Sequence, residues 1–488
     1  MRNKPALALV ADRPSPAPVQ AAGRETIYAV SSGVGRAGVA VLRLSGPGAG
    51  AALTALAGRL PPARRAVLAR LRDPADGQTI DKGLVLWFPA PESFTGEDVA
   101  ELHVHGGRAV TAAVFAVLER LPGLRPAEAG EFVRRSFDNG KLDLSEVEGL
   151  ADLINAETEA QRRQAIGQLD GALGRLLQGW RTALVAALAH VEATIDFADE
   201  DLAPDAGPDG FLETVKHNIL CIEKEITLYI DDSYRGERVR QGLTVAIVGA
   251  PNVGKSSLLN ALARRDAAIV SDVAGTTRDV IEVYLDVGGY PVTLADTAGL
   301  RQGTGQGTGE NAGDEGPQAS IEAEGMRRTR ARAAVADLKV AVFDIRAAGT
   351  PDAATRALVD DNTLVVLNKG DLAPELAAEL VSAAVCGQAA ITVSAKTGVG
   401  LAALEQALGR AAASRLEAGS DSPVFSRARH RRALQDCRAA LGRAVTAPLA
   451  ELAAEDLRLA LRALGRIAGS VDVEDILDVI FRDFCIGK

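Results

Sequence analysis

The sequence predicts a multidomain chain of α/β and α character. An α+β N-terminal domain is followed by a helical domain in two separated parts, with a P-loop α/β domain inserted between them. Three observations carry this. Residues 249–256 (GAPNVGKS) satisfy G-x-x-x-x-G-K-[ST] at every fixed position. An apolar, strand-like run at 244–248 precedes that motif and a helix-like run at 257–262 follows it, the order a phosphate loop needs. Helical spacing of apolar residues then fills both flanks of the P-loop region.

The elements follow in order. Residues 1–24 carry a short apolar run at 6–11 and then Pro14, Pro16 and Pro18, so they read as a disordered extension and not a signal segment. Residues 25–141 are strand-like at 27–30, 39–44 and 83–88, and helix-like at 108–121. Residues 142–241 turn helical: Val147, Leu150, Ala151 and Ile154, then Leu184, Leu188, Val191 and Ile195, keep three-to-four spacing. Residues 242–415 hold the nucleotide motifs. Residues 416–488 return to helical spacing at Leu457, Leu461, Leu464, Ile467, Ile476 and Ile480. The Gly-rich, polar stretch 301–319 reads as a flexible insertion.

Composition narrows the class. Hydrophobic residues are 47% of the 488, enough for packed cores. Asp and Glu number 64 against 54 Lys and Arg, which argues against a constitutively basic nucleic-acid surface without excluding a local one. Arg427, Arg429, His430, Arg431 and Arg432 spread around a helix and read as a solvated helix start. Cys221, Cys386, Cys437 and Cys485 form no C-x-x-C pair, which suits a reducing cytosol and gives no zinc site. His103 and His105 alternate on one strand face, without further ligands for a metal. No apolar run approaches the roughly 18–20 residues of a membrane span. A cytoplasmic protein with no membrane partner is expected.

The motifs specify the nucleotide. The P-loop glycines let backbone N–H groups curl around a β-phosphate, Lys255 reaches the β/γ oxygens, and Ser256 offers its hydroxyl to Mg²⁺. Asp296-Thr297-Ala298-Gly299 ends the apolar run 292–295, bringing a carboxylate to the Mg²⁺ shell and a Gly N–H to the γ-phosphate. Asn368-Lys369-Gly370-Asp371 ends the run 364–367. A carboxylate there accepts both N1–H and N2–H of guanine, a donor pair adenine lacks, so Asp371 selects GTP. Ser394-Ala395-Lys396 closes the run 391–393 and offers a backbone N–H to guanine O6. Gly275-Thr276-Thr277-Arg278-Asp279 is a candidate switch I with Thr277 on Mg²⁺. Each short motif alone is weak; five in sequence order are not. Leu300 stands where many small GTPases carry a water-orienting Gln, so hydrolysis needs another helper. The amide oxygen of Asn252 offers a ligand to a monovalent cation, which would do the electrostatic work of an arginine finger.

From about Thr26 to Lys488 the chain resembles the MnmE (TrmE) family of bacterial tRNA-modification GTPases. The resemblance rests on Phe94-Thr95-Gly96-Glu97-Asp98-Val99, His105-Gly106-Gly107, Gly130-Glu131-Phe132, Lys141-Leu142-Asp143-Leu144 and the ending Phe484-Cys485-Ile486-Gly487-Lys488. It implies a folate-binding, dimerising N-terminal domain, a discontinuous helical domain and an inserted Ras-like P-loop GTPase domain activated by K⁺. With a flavin-dependent partner of the MnmG/GidA type (FAD on the partner), the family installs a carboxymethylaminomethyl or aminomethyl group at C5 of the wobble uridine of certain tRNAs. The resemblance implies a homodimer and a heterotetramer with that partner.

Residue by residue, the resemblance implies K⁺ ligands at Asn252, Ser271, Val273 and Thr276, and Mg²⁺ ligands at Ser256 and Thr277. The GTP contacts would add Val253, Gly254 and Ser257 and extend through Asp272, Ala274 and Gly275. A tetrahydrofolate derivative would draw on Arg43, Glu101, Lys141 and Lys488, with Cys485 a candidate reactive thiol. Cations suit folate's glutamate carboxylates, and Glu101 accepts from the pterin amino group. The catalytic set is Asp296, Lys255 and the water-organising Glu322, with Glu324 as the fallback across the insertion. Phe481, Phe484 and Ile486 call for burial of the tail. A regulatory GTPase switch in ribosome or RNA assembly, without modification chemistry, stays open on the GTPase motifs alone; the folate residues and the tail favour modification.

Overall fold

A computed structural model of the chain describes residues 25–33, 35–196, 208–265, 268–269, 282–296, 331–348, 350–379, 384–417, 424–470, 477, 480, 481, 484 and 487. For 208–214, 268–269, 282, 296, 377–379 and 384 it describes the backbone alone. The extension 1–24 and the insertion 301–319 lie outside the described residues. The chain divides into two compact units: Met1–Ala151 with Leu169–Thr182 and Leu461–Lys488, and Asp152–Gln168 with Ala183–Ala460.

The first unit is built on a six-stranded sheet: β1 (Thr26–Val30), β2 (Ala37–Ser45), β3 (Val67–Arg72), β4 (Thr79–Phe88), β5 (Val99–Gly106) and β6 (Leu124–Pro126). Their spatial order is β3-β4-β5-β2-β1-β6, antiparallel except for the β1–β6 pair. Period-two alternation decides which face is covered. In β2, Ala40, Leu42 and Leu44 are buried while Val41 and Arg43 between them are half-exposed. Helices α1 (Ala49–Ala57) and α2 (Arg108–Arg120) contribute Leu53, Leu56, Val114 and Leu118 to that core.

A second apolar cluster in this unit joins Val133 of α3 (Glu131–Asp138), Leu144 and Val147 of α4 (Leu144–Ile154), and Leu477, Phe481 and Phe484 near the chain's end. Phe481 and Phe484 are buried, as their side chains demand. Gly130, with φ of 68°, makes this packing possible, because a Cβ there would sit 2.4 Å from the carbonyl oxygen of Phe481.

The second unit carries an eight-stranded sheet in the order β13-β14-β12-β11-β7-β10-β9-β8. Its strands are β7 (Leu243–Val248), β8 (Ala268–Ile269), β9 (Glu282–Val287), β10 (Tyr290–Asp296), β11 (Leu338–Asp344), β12 (Thr363–Asn368), β13 (Ala384–Val385) and β14 (Gln388–Thr392). Strands β10, β7, β11, β12 and β14 run parallel. Parallel strands are covered on both faces, which is why β7 and β12 read as near-continuous apolar runs. Helices α5 (Glu159–Leu169), α6 (Ala172–Asp196), α7 (Pro208–Gln241), α8 (Lys255–Ala263) and the later Leu401–Leu416, Ala428–Thr446 and Ala450–Ala468 complete the described helices named here. None of the helices among the described residues is long and apolar enough to cross a membrane.

Two glycines give a paired test of the tail packing. Gly58 also has positive φ but open space where a Cβ would go. Gly58→Ala is expected to cost about 1 kcal/mol, the left-handed penalty alone, and Gly130→Ala at least about twice that, because the backbone of Phe481 must also shift. Urea midpoints of the full-length variants check this; equal midpoints would mean the tail does not press on Gly130.

Candidate nucleotide site

The phosphate loop leaves the carboxyl end of β7 and enters α8. Open α/β sheets bind ligands outside the carboxyl ends of their strands, and the base-loop motifs follow β12 and β14 at the same edge. Asn252 takes a left-handed conformation with φ of 63° at the exposed tip. Gly254, with φ of 95°, caps α8. No side chain fits there, since a Cβ would lie 2.3 Å from Nδ2 of Asn368. Lys255 is buried, and its Nζ donates to the carbonyls of Gly249 at 2.9 Å and Ala250 at 2.8 Å. Ser256 and Ser257 stand in the first turn of α8, beside the N–H groups that favour an anion.

Asn368 ties this loop to the base loop. Its Nδ2 donates to the Val253 carbonyl at 2.9 Å, and its Oδ1 accepts from the Ala395 N–H at 3.1 Å. Asp371 is oriented from the next loop: the buried Ser394 hydroxyl donates to its Oδ1 at 2.6 Å. The Thr397 N–H donates to Ser394 Oγ at 3.2 Å, so the hydroxyl has a fixed direction. The carboxylate of Asp371 is exposed, available to a ligand's donors.

Sequence reasoning missed one member of the cluster. Asp344 ends β11 and accepts from Lys369 Nζ at 2.9 Å and from Arg346 at 2.6 Å. The Arg346 guanidinium, with the Lys369 ammonium beside it, holds the Asp344 carboxyl well below the usual carboxylate range. Lys369, itself left-handed with φ of 66°, is thereby fixed in place. The signal was an Asp at the end of an apolar run, legible as a strand but matching no nucleotide motif.

Asp296 ends β10 opposite Ile247, and its side chain lies outside the described residues. So do Ser271, Asp272, Val273, Ala274, Gly275, Thr276 and Thr277, then Thr297, Ala298 and Gly299, and also Glu322, Glu324, Cys485 and Lys488. Lys396 follows the Ser394–Ala395 turn and is exposed.

In the first unit, Arg43 and Glu101 face each other across β2 and β5 and form an ion pair at 3.0 Å. The Arg43 guanidinium also lies 5.3 Å from the Phe94 ring centroid. Lys141 donates to the Pro91 carbonyl at 3.1 Å. The loop through Phe94 and Thr95 is pinned by α3 and its cap: Ser136 donates to the Phe94 carbonyl, and Asn139 to the Thr95 carbonyl at 2.6 Å. Beneath it, the buried Arg135 and Glu97 pair at 2.9 Å, with Ser45 donating to the same carboxylate at 2.7 Å. These bonds give the motif residues of this unit a structural purpose. His103 pairs with Glu101 at 3.2 Å and His105 with Asp81 at 2.8 Å.

One expectation is corrected. The Arg427–Arg432 cluster is not a solvated helix start. His430 is fully buried, Arg427 pairs with Asp152 at 2.8 Å, and Arg431 pairs with Glu237 and lies 4.4 Å from the Tyr234 ring centroid. Tertiary packing takes up cations that the helical wheel alone assigned to water. Burial also pushes the Cys437 thiol up to about 12, which makes it a packing residue.

A phosphate loop braced by Asn368 against the loop that carries Asp371, on a mostly parallel sheet, defines a P-loop GTPase of the Ras-like kind. A family model described as "MnmE helical domain" matches residues 144–485, and one described as "GTP-binding protein TrmE N-terminus" matches residues 26–141. The chain is 56% identical over 477 residues to the tRNA modification GTPase MnmE of Rhodospirillum rubrum, covering 95% of this chain and 99% of that one. It is 56% identical over 465 residues to the MnmE of Paramagnetospirillum magneticum, covering 95% and 100%. It is 50% identical over 472 residues to that of Maricaulis maris, covering 95% and 99%. The chain belongs to the MnmE family of tRNA modification GTPases and is a GTP hydrolase.

The Ser394 hydroxyl provides a direct check on this geometry. Ser394→Ala removes one hydrogen bond to a charged acceptor, worth about 1.5–3 kcal/mol. GDP and GTP affinity should fall on the order of tenfold by fluorescence titration. An unchanged affinity would mean Asp371 does not depend on Ser394.

Proposed function

We propose that this chain is a K⁺-activated GTP hydrolase that takes part in modifying C5 of the wobble uridine of certain tRNAs, adding a carboxymethylaminomethyl or aminomethyl group. A tetrahydrofolate derivative supplies the one-carbon unit, and a flavin-dependent partner of the MnmG/GidA type, carrying FAD, completes the reaction. The observation that carries the reading is the Asn368 bridge, which sets the phosphate loop and the guanine-reading carboxylate at one fixed separation.

Within that reading, Lys255 and the N–H groups at the start of α8 hold the phosphates. Ser256 and Thr277 would hold Mg²⁺, with the Asp296 carboxylate contributing to its shell. The amide of Asn252 suits the K⁺ role, because its side chain has no hydrogen-bond partner among the described residues. With Ser271, Val273 and Thr276 it would hold K⁺. Bound K⁺ supplies positive charge where the transition state develops negative charge. Leu300 is apolar, so Glu322 orients the attacking water. The Arg43–Glu101 pair fits folate: the cation takes a carboxylate, the anion accepts from the pterin amino group, and Phe94 offers an apolar face. Lys141 and Lys488 would add cations, and Cys485 is the candidate reactive thiol. The working form is a cytosolic homodimer that joins its partner as a heterotetramer.

The test compares cations. GTP hydrolysis should be faster in K⁺ than in Na⁺ by on the order of 10²-fold or more, within the range an arginine finger supplies. Asn252→Gly keeps the left-handed φ while deleting the amide, so it should erase the K⁺ advantage and leave GTP affinity close to wild type. Equal rates in the two cations, or a K⁺ response that survives Asn252→Gly, would remove the cation from the mechanism.

A further inference from the structure

The segment from Gly58 to Arg72 holds Arg59, Arg64, Arg65, Arg70 and Arg72 and no acidic residue, in a chain of net charge −10. It runs from the end of α1 into β3, the edge strand of the first unit's sheet. All five arginines are exposed. Arg64 donates to the Glu92 carbonyl. Arg59, Arg65, Arg70 and Arg72 make no ion pair with any described residue. Elsewhere in the same unit, arginines that stabilise the fold are paired: Arg120 with Asp73 at 2.6 Å, Arg125 with Glu131 at 2.6 Å, and Arg135 with Glu97 at 2.9 Å.

The register adds a second observation. Arg70 stands directly opposite Lys82 in the β3–β4 ladder, and both are exposed. Like charges directly opposed across a ladder destabilise it. Folding alone gives no return for that placement, whereas a bound anion relieves it. Beside the strand lies a cleft of about 490 Å³ lined by Arg59, Arg70, Arg72 and Asp73. The single carboxylate among these four is already taken by Arg120.

Charged residues also guard sheet edges against unwanted pairing. That reading covers Arg70 and Arg72. It does not cover Arg59 and Arg65, which lie off the strand, or Lys82, which lies on the inner neighbour β4.

We propose that this arginine face binds the phosphodiester backbone of RNA and docks the tRNA substrate. The identity of the polyanion rests on the tRNA-modification reading above. Guanidinium forks match phosphate oxygens bidentately. Residues two apart on one strand are separated by about 6.5 Å, so Arg70 and Arg72 can engage separate phosphates. Backbone contacts of this kind fix position and carry no sequence information, leaving base recognition to other surfaces.

The experiment titrates a labelled, unmodified tRNA transcript with the full-length protein across a salt series. The variants are Arg70→Glu with Arg72→Glu, and separately Arg59→Glu with Arg65→Glu, which does not alter the strand. Circular dichroism and a urea midpoint matched to wild type report that the substituted unit of each full-length variant is folded. Each double reversal should weaken tRNA binding at least about tenfold at 0.1 M salt and lower the slope of log affinity against log salt by about 2. Edge protection predicts no loss, since Glu keeps the edge charged. Wild-type binding matched by both variants overturns the docking face while leaving the tRNA reading intact. A wild type that hydrolyses GTP but does not bind tRNA overturns both. Variants that lose retention on poly-L-glutamate while keeping tRNA affinity reassign the face to an acidic protein and overturn the proposal.

Discussion

The nucleotide site depends on one buried amide. Asn368 is 2% exposed and spends its side chain on two backbone groups from different loops, the Val253 carbonyl and the Ala395 N–H. Leaving a buried donor or acceptor unmet costs about 1–3 kcal/mol, so each bond matters to the closed arrangement. Its consequences spread outward. Position 254 must be glycine because the Asn368 amide occupies the space of a Cβ. Lys255 then begins α8 where its ammonium can cross the loop. The Ala395 N–H, held by Oδ1, sits next to the Ser394 hydroxyl that aims Asp371. Phosphate and base ends of the ligand are thus measured against one side chain.

The sheet provides the frame for that amide. Strands β7, β12 and β14 deliver their loops to one edge because they run parallel, and their apolar faces are covered on both sides. Strand β11, between β7 and β12, delivers Asp344 to the same edge, where it clamps Lys369. The first unit solves a different problem by similar means. A buried Arg135–Glu97 pair is expensive unless its remaining polar atoms are satisfied. Ser45, Glu131 and the Glu25 carbonyl do so here. The reward is a fixed Phe94–Thr95 loop beside the Arg43–Glu101 pair.

Much of this was legible in the residues. The apolar runs at 244–248 and 364–367 fall inside β7 and β12, and the run at 391–393 overlaps β14. The glycines and Lys255 of the phosphate loop announced their turn because that backbone path tolerates few alternatives. Asn368 was legible as part of a motif, but its work as a brace was not, since Val253 lies 115 residues away in sequence. Asp344 and the partners of Arg427 and Arg431 were invisible for the same reason: Asp152 and Glu237 meet those arginines only through tertiary packing. A helical wheel knows the angle at which a side chain leaves its helix and nothing about what stands opposite. The Arg70–Lys82 opposition needed the strand register, which spacing alone does not set.

The account's central claim is that Asp371, aimed by Ser394 and registered by Asn368, reads the base. Exchanging its chemistry tests that most directly. Xanthine carries a carbonyl where guanine carries its 2-amino group, so Asp371→Asn should exchange one preference for the other. The measurement is hydrolysis of GTP and of xanthosine triphosphate by wild type and variant under matched conditions. The account predicts that the variant loses at least about 10²-fold in kcat/KM for GTP, as expected when a site built to hydrogen-bond its substrate loses that match, and gains xanthosine triphosphate as a substrate. A variant that still prefers GTP at near wild-type kcat/KM would show that the base is read elsewhere.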